Sequence, residues 1–502
     1  MAIRFEIYRD GQRLARYEPV AATALGPESV PIAGEVGFRD GLLVIENVDD
    51  PAVGLALLWD AGPAGQFLLE TTRLAQRDRP YVLNVELARS RLMRVVQKQE
   101  DWNLFDFPRA DRFTARFREA QTMFADALGK LDEPALASQL ADAALEIAIG
   151  LSEELAMFHA ELLINRRKQT GQFVKHVVGC KADTAIRSDR YKDLLAGQFD
   201  YAVVPMNWKA LQPQEGLFET EATDEWVEYL GRRRVPVIAG PMVCWEEDSV
   251  PEWLFVWEND FDTLRELAYE YVHRVVHRYR RGVSMWNVAA GLHKRNSFGL
   301  SFEQVIELTR LLVAQVKTII PNARTLVTIT HAFGEEGPGR HPQAVPPIMY
   351  AEMAAQAGIN FEAFGLELEM GVPAPGRFNR DLFQLSSLLD RFSTLGRPVF
   401  ITGIGAPGRN TPDPDDPNRI DPAAAGRWKR PWDPKVQAEW VDAVYHLCMS
   451  KPYVESIAWS NLADINPTVP GGGLFDDTLQ PKPAFQKVQE LREKFKGWSK
   501  KG

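Results

Sequence analysis

The chain has 502 residues and a mass of 56.6 kDa, enough for a sizeable core and about three domains. Apolar residues at 45% and charged residues at 25% are the proportions of a globular protein and exclude a disordered or collagen-like chain. Three cysteines, Cys180, Cys244 and Cys448, exclude a disulfide framework, and a formal charge of −10 gives no electrostatic footprint for nucleic acid.

No run of ~18 apolar residues occurs, so no membrane partner is expected. The N-terminus alternates apolar and charged residues and lacks the basic end and apolar stretch of a signal peptide. The expectation is a cytoplasmic protein by default, or a secreted one if a leader was removed. The oligomeric state is not legible.

Residues 1–108 read as a β-sandwich of jelly-roll type, with extended segments at 3–8, 13–18, 35–38, 42–47, 54–59, 66–71 and 81–98. Asp10-Gly11 and Asp40-Gly41 supply hairpin-type turns between them. Such a module either binds carbohydrate or serves as a packing and spacer domain. Residues 109–172 change to a 3.6 period and predict a helical connector, with Phe113, Phe117, Ala120, Phe124 and Leu128 on one face. Pro134 opens the second helix, with Asp132 as its expected cap.

From 173 to 498 strand-like runs alternate with amphipathic helices. The predicted strands are 176–182, 199–208, 235–245, 283–291, 325–331, 362–370, 398–405 and 455–464, and the clearest helices are 222–233, 261–280, 301–319, 346–357, 379–395 and 434–450. Eight strand-helix units predict a (β/α)8 TIM barrel, with an open doubly wound sheet as the alternative. No glycine-rich phosphate-binding pattern follows a strand, so no nucleotide or other cofactor is expected. The proline-rich segment 406–434 predicts a long loop on the catalytic face, serving as a binding wall or lid.

Barrel sites form at the C-terminal ends of strands. Those ends carry Asn207-Trp208-Lys209, Trp245-Glu246-Glu247, Trp286-Asn287, Thr330-His331, Glu367-Leu368-Glu369 and Trp459-Ser460-Asn461. Flat aromatic faces edged by amides and carboxylates suit pyranose rings, so Asn207, Trp208, Trp245, Trp286, His331, Trp459 and Asn461 are candidate residues for a carbohydrate partner. Their alternative role is core packing. His293 and His331 with Glu367 or Glu369 could form a two-histidine, one-carboxylate set, but no metal-binding spacing supports it and no metal is expected. His273 and His277 lie mid-helix and read as surface residues.

The barrel resembles glycoside hydrolase family 10, the endo-xylanase family. Pro205-Met206-Asn207-Trp208-Lys209 with Gly216-Leu217-Phe218 is similar to its second-strand segment, and Gly240-Pro241-Met242-Val243-Cys244-Trp245-Glu246 with Pro251-Glu252-Trp253 to its third. Arg278-Tyr279, Trp286-Asn287-Val288, Gly365-Leu366-Glu367, Leu474-Phe475-Asp476 and Pro481-Lys482-Pro483-Ala484-Phe485 follow in the family's order.

The resemblance implies two catalytic glutamates, one as acid/base and one as nucleophile. At those positions stand Gly291 and Gly403, with Asn287, Ala290 and Gly405 also changed nearby. Glycine can neither transfer a proton nor attack an anomeric carbon. The first reading is therefore a divergent glycosidase with displaced acids, Glu367, Glu369, Glu246 and Asp464. Glu367 and Glu369 are two apart on one strand and share a face. The second reading is a catalytically inactive, carbohydrate-binding barrel in which those acids pair with cations such as Lys209, Lys294, Arg295 and Arg377. Loop arginines Arg340, Arg377, Arg409, Arg427 and Arg430 raise the further expectation of an anionic glycan.

Overall fold

Eight parallel strands, Val178–Lys181, Tyr201–Val204, Val237–Ala239, Met285–Ala290, Thr325–Ile329, Ala363–Glu369, Val399–Gly405 and Val454–Trp459, close into a barrel in which the first pairs with the eighth. They are referred to here as the first to eighth barrel strands. The structure is a computed structural model describing residues 2–104, 111–171, 173, 176–246, 248–294, 297–335, 344–413 and 419–499. The open-sheet alternative is excluded by the closure.

Strands such as Met285–Ala290 and Val399–Gly405 are buried at every residue, because helices cover the outside and side chains fill the inside. Inside, side chains stack in layers. Tyr201, Val203, Ile238, Met285, Leu326, Ala363, Phe400 and Ala458 form an apolar cluster of their own. Two residues further along come Asn287, Thr328 and Thr402, where the Thr328 hydroxyl donates to Asn287 Oδ1 at 3.1 Å. Gly365 faces this layer: a Cβ there would lie 2.1 Å from Thr328 Oγ1. Beyond it come the charged residues of the mouth. The interior thus grades from apolar to polar toward the strand ends, where loops can carry chemistry.

The surrounding helices begin on local signals. Ser301 and Asp381 form capping boxes with Gln304 and Gln384, and Asp260 and Asp433 cap Phe261–Tyr279 and Pro434–Ser450. Helices Asp189–Gln198 and Pro483–Ser499 add to those expected from the sequence.

The N-terminal β-sandwich comprises two small sheets. One orders Tyr81–Val82, Ile3–Glu6, Leu42–Glu46 and Glu35–Arg39; the other contains Gly65–Glu70, Ala52–Asp60 and Thr23–Leu25. Ile3, Phe5, Ile45, Leu55, Leu57 and Phe67 meet in its core. Both predicted Asp-Gly turns have left-handed backbone at the two positions, with φ of 50° and 74° at Asp10 and Gly11 and 51° and 72° at Asp40 and Gly41. Three helices follow, Leu83–Asp101, Asp111–Gly129 and Pro134–Thr170, and the last packs against the barrel helices Leu382–Ser393 and Pro434–Ser450.

Three expectations need correction. Residues 83–98 are helical, not extended: the β-favouring start Tyr81-Val82-Leu83 hides the helical spacing of Leu83, Leu87, Leu92 and Val95, all buried. The residue before Pro134 that enters the helix is Glu133, and Asp132 instead pairs with Arg79 at 2.8 Å. The segment after the seventh strand is not all loop. Its Arg427–Trp428 forms an antiparallel strand on Gly65–Glu70, joining the N-terminal sheet.

Candidate functional site

Lys181 ends the first barrel strand with its side chain directed inward, and it crosses the mouth to Glu367 on the sixth, Nζ to Oε1 at 2.8 Å. The path runs over Gly403 on the seventh strand. A Cβ at Gly403 would lie 2.6 Å from Lys181 Nζ and 2.9 Å from its Cε. The lysine stem therefore occupies the place where a side chain at 403 would begin. Burial works against the Lys181 ammonium, but Glu367 and Glu369 outweigh it and raise its pKa above the ordinary lysine value.

Glu369, two residues along, accepts from Arg377 at 2.6 Å and from the Thr468 hydroxyl at 3.2 Å. Burial alone would raise its pKa, yet Arg377, Lys181 and the hydroxyls of Ser460 and Thr468 lower it to about 2. Glu369 is thus held as a carboxylate, and Lys181 as an ammonium, throughout the neutral range.

Across the mouth, Lys294 Nζ sits 3.0 Å from Glu246 Oε1 and 3.4 Å from His331 Nε2. This pair adjoins Gly291, whose φ of +63° is left-handed. A Cβ there would fall 2.6 Å from Thr330 Oγ1 and 3.2 Å from Glu246 Oε1. The fourth acid, Asp464, is committed to its own loop: it binds Lys482 at 2.9 Å and accepts from Gly473 N at 2.7 Å.

The geometry thus brings Glu367, Glu369, Glu246 and His331 into charged or polar contacts at the strand ends. The tryptophans do otherwise. Trp208, Trp245, Trp286 and Trp459 are at most 2% exposed, so they pack as core and offer no face to a sugar. Trp208 stacks on Tyr271 at 4.6 Å and donates to Gln212, and Trp459 donates to Gly472 O at 2.8 Å. A large ring at a strand end fills the gap between strand and covering loop, which sequence position alone does not distinguish from lining a cleft. Asn207 and Asn461 are turned to backbone work: Asn207 caps the helix Trp208–Leu211, and Asn461 Oδ1 accepts from Thr468 N and Oγ1.

Sequence reasoning missed Lys181. A lysine closing an apolar strand was the available signal, since a long cation at an inward position needs an acid opposite. The arginines behind the anionic-glycan expectation are already engaged, Arg377 with Glu369, Arg409 with Asp413, Arg427 with Asp60 and Arg430 with Glu439. Arg295, Arg340 and Glu247 lie outside the described residues. Among the described residues no cluster of three or more His, Cys, Asp or Glu side chains could hold a metal. Among the described residues no helix is long and apolar enough to cross a membrane.

Residues 166–304 match the model of glycosyl hydrolase family 10. The chain is also 20% identical over 323 residues to endo-1,4-beta-xylanase B of Thermotoga neapolitana, a match spanning 61% of this chain and 84% of that protein. This part of the barrel is thus similar to family 10, at a divergent level of identity. Among solved structures, native xylanase 10B from Thermotoga maritima is 18% identical, with 66% of this chain and 98% of that chain covered and a TM-score of 0.49. Xylanase 10B from Thermotoga petrophila RKU-1, solved with xylobiose, is 19% identical over 64% of this chain and 94% of that one, with a TM-score of 0.48. The third strand end and the fourth strand lie inside the matched region, so Glu246 and Gly291 fall within it. Glu367 and Gly403 lie beyond it.

Proposed function

We propose that the barrel binds an oligosaccharide at its strand ends without cleaving it. The observation that carries this reading is the occupation of both places where the resemblance implies a reactive carboxylate. The Lys181–Glu367 pair lies over Gly403, and Thr330 and the Glu246–Lys294 pair crowd Gly291. Hydrolysis by displaced acids would need one carboxyl kept protonated near neutral pH beside an ionised one. Glu369 is instead held anionic by Arg377 and Lys181, and Asp464 is bound into its loop by Lys482. Ion pairs of this kind serve recognition: a carboxylate accepts from sugar hydroxyls while its ammonium or guanidinium partner donates to them.

Xylo-oligosaccharides are the first probes, because the relatives are xylanases. Calorimetric titration with xylohexaose, followed by mass spectrometry of the same mixture after long incubation, tests the proposal. Binding with no shorter product is the expected result. Products that vanish in Glu367→Gln would overturn it in favour of the displaced-acid glycosidase.

A further inference from the structure

We propose that the N-terminal β-sandwich is a positioning element of the barrel mouth, holding the loop that delivers Arg377 to Glu369. The loop after the sixth strand has two ends with different partners. At the barrel end, Gly371 N donates to Arg377 O at 2.9 Å, and the Arg377 guanidinium bridges Glu369 Oε2 at 2.6 Å and Thr468 O at 2.8 Å. From the very next residue the chain packs against the N-terminal sheet. Phe378 is 5% exposed in a cluster with Leu25, Ala56, Leu58 and Leu68.

Asn379, fully buried, continues the attachment. Its carbonyl accepts from Leu68 N at 3.1 Å and its Nδ2 donates to Gln66 O at 3.1 Å. Its own N–H donates to Ala425 O at 2.9 Å, tying in the segment that adds Arg427–Trp428 to the same sheet. The approach is close: a Cβ at Gly426 would lie 2.5 Å from Gln66 O, and φ there is +99°. Asp381 then forms a buried ion pair with Arg91. One side of the loop therefore packs on the second N-terminal sheet, on the face opposite the sandwich core, and the other side is the counter-ion of a mouth carboxylate. Only one peptide link separates Phe378 from Arg377, so loosening the sheet contact tilts the guanidinium.

The role of this device in recognition rests on the saccharide reading of the mouth, but the device itself is testable without a ligand. Leu58 lies on the N-terminal sheet and belongs to no ion pair in the mouth. In a double-mutant cycle, urea midpoints are measured for the full-length wild type, Leu58→Ala, Glu369→Gln and the double variant. Positioning predicts coupling: the midpoint shift from Glu369→Gln shrinks by about half in the Leu58→Ala background. Strict additivity would overturn the proposal. The same cycle followed from pH 5 downward adds a second readout, because a misplaced Arg377 lets Glu369 take up its proton at higher pH. Should Leu58→Ala fail to fold, Asn379→Ala, which leaves both backbone hydrogen bonds of that residue, takes its place. Xylohexaose affinity is expected to fall about tenfold in Leu58→Ala. A wild type that binds no saccharide defeats the functional reading alone, and the coupling still decides the positioning.

Discussion

At the scale of single residues, Gly403 and Lys181 define each other. The lysine can reach Glu367 only because residue 403 has no side chain, and its Cε and Nζ would collide with one. Gly403→Glu should therefore cost about 1–3 kcal/mol of stability through overpacking. Lys181→Ala in the same chain should recover part of that loss, since it empties the space. Chemical denaturation of the two single variants and the double variant checks this. Gly291→Glu meets a different obstacle, left-handed backbone together with the Thr330 hydroxyl 2.6 Å from the new Cβ, and no single partner change relieves both.

Glu369 carries a pH signature. Its folded pKa is lowered to about 2 from an ordinary 4.5, chiefly because Arg377 and Lys181 overcome the burial penalty. An acid depressed in the folded state stabilises above its unfolded pKa, and that stability is lost as pH falls through the folded value. The unfolding midpoint of the wild type should accordingly decline between pH 5 and pH 2 more steeply than that of Glu369→Gln. Parallel curves would show that the pair contributes nothing to folding.

Among elements, the strands and helices of the barrel follow their periodicities closely. The predicted strand 398–405 is Val399–Gly405, and the predicted helix 261–280 is Phe261–Tyr279. Buried parallel strands are continuous apolar runs and amphipathic helices repeat every 3.6 residues, so both are written locally. The segment 83–98 was not legible because apolar residues at its start satisfy both periods. The aromatic strand ends were ambiguous for another reason: exposure depends on the loop that folds over them. Trp208, stacked on Tyr271 and at most 2% exposed, is the test case. Trp208→Ala should lower stability by about 3–5 kcal/mol while leaving saccharide preference unchanged, measured by thermal melting and a glycan binding panel.

For the whole molecule, the decisive feature is that sandwich, helices and barrel share one interface. Glu153 on the long helix Pro134–Thr170 accepts from Leu382 N at 3.1 Å and Trp428 Nε1 at 2.8 Å, while Asp381 nearby is paired with Arg91. Burial first, and then the like charge of Asp381, raise the Glu153 pKa from 4.5 to about 7. For an acid raised in the folded state the sign reverses. Stability is full below the unfolded pKa and is lost as pH rises through about 7. Glu153→Gln, which can keep both acceptor contacts through its amide oxygen, should be more stable than the wild type at pH 8, by roughly 2–3 kcal/mol. Differential scanning calorimetry at pH 5 and pH 8 distinguishes this from a pH-independent effect. Breaking the Arg91–Asp381 pair with Arg91→Met should cost about 3–5 kcal/mol, because it strands a buried carboxylate.

From the linear chain alone, the barrel with its preceding sandwich and helices could be read, because these depend on residue type at a position and on short-range repeats. Glu367 and Glu369 could likewise be placed on one strand face, since alternation in a strand is local. What required the folded molecule was every pairing across distance. Lys181 meets Glu367 across 186 positions, Arg91 meets Asp381 across 290, and Arg427–Trp428 joins a sheet laid down more than 350 residues earlier. Nothing in a window of neighbours encodes such meetings, because they arise only when barrel closure and domain packing bring remote surfaces together. Those meetings determine whether the acids at the mouth are free to react or are held as ions, and whether the tryptophans face a ligand or the core.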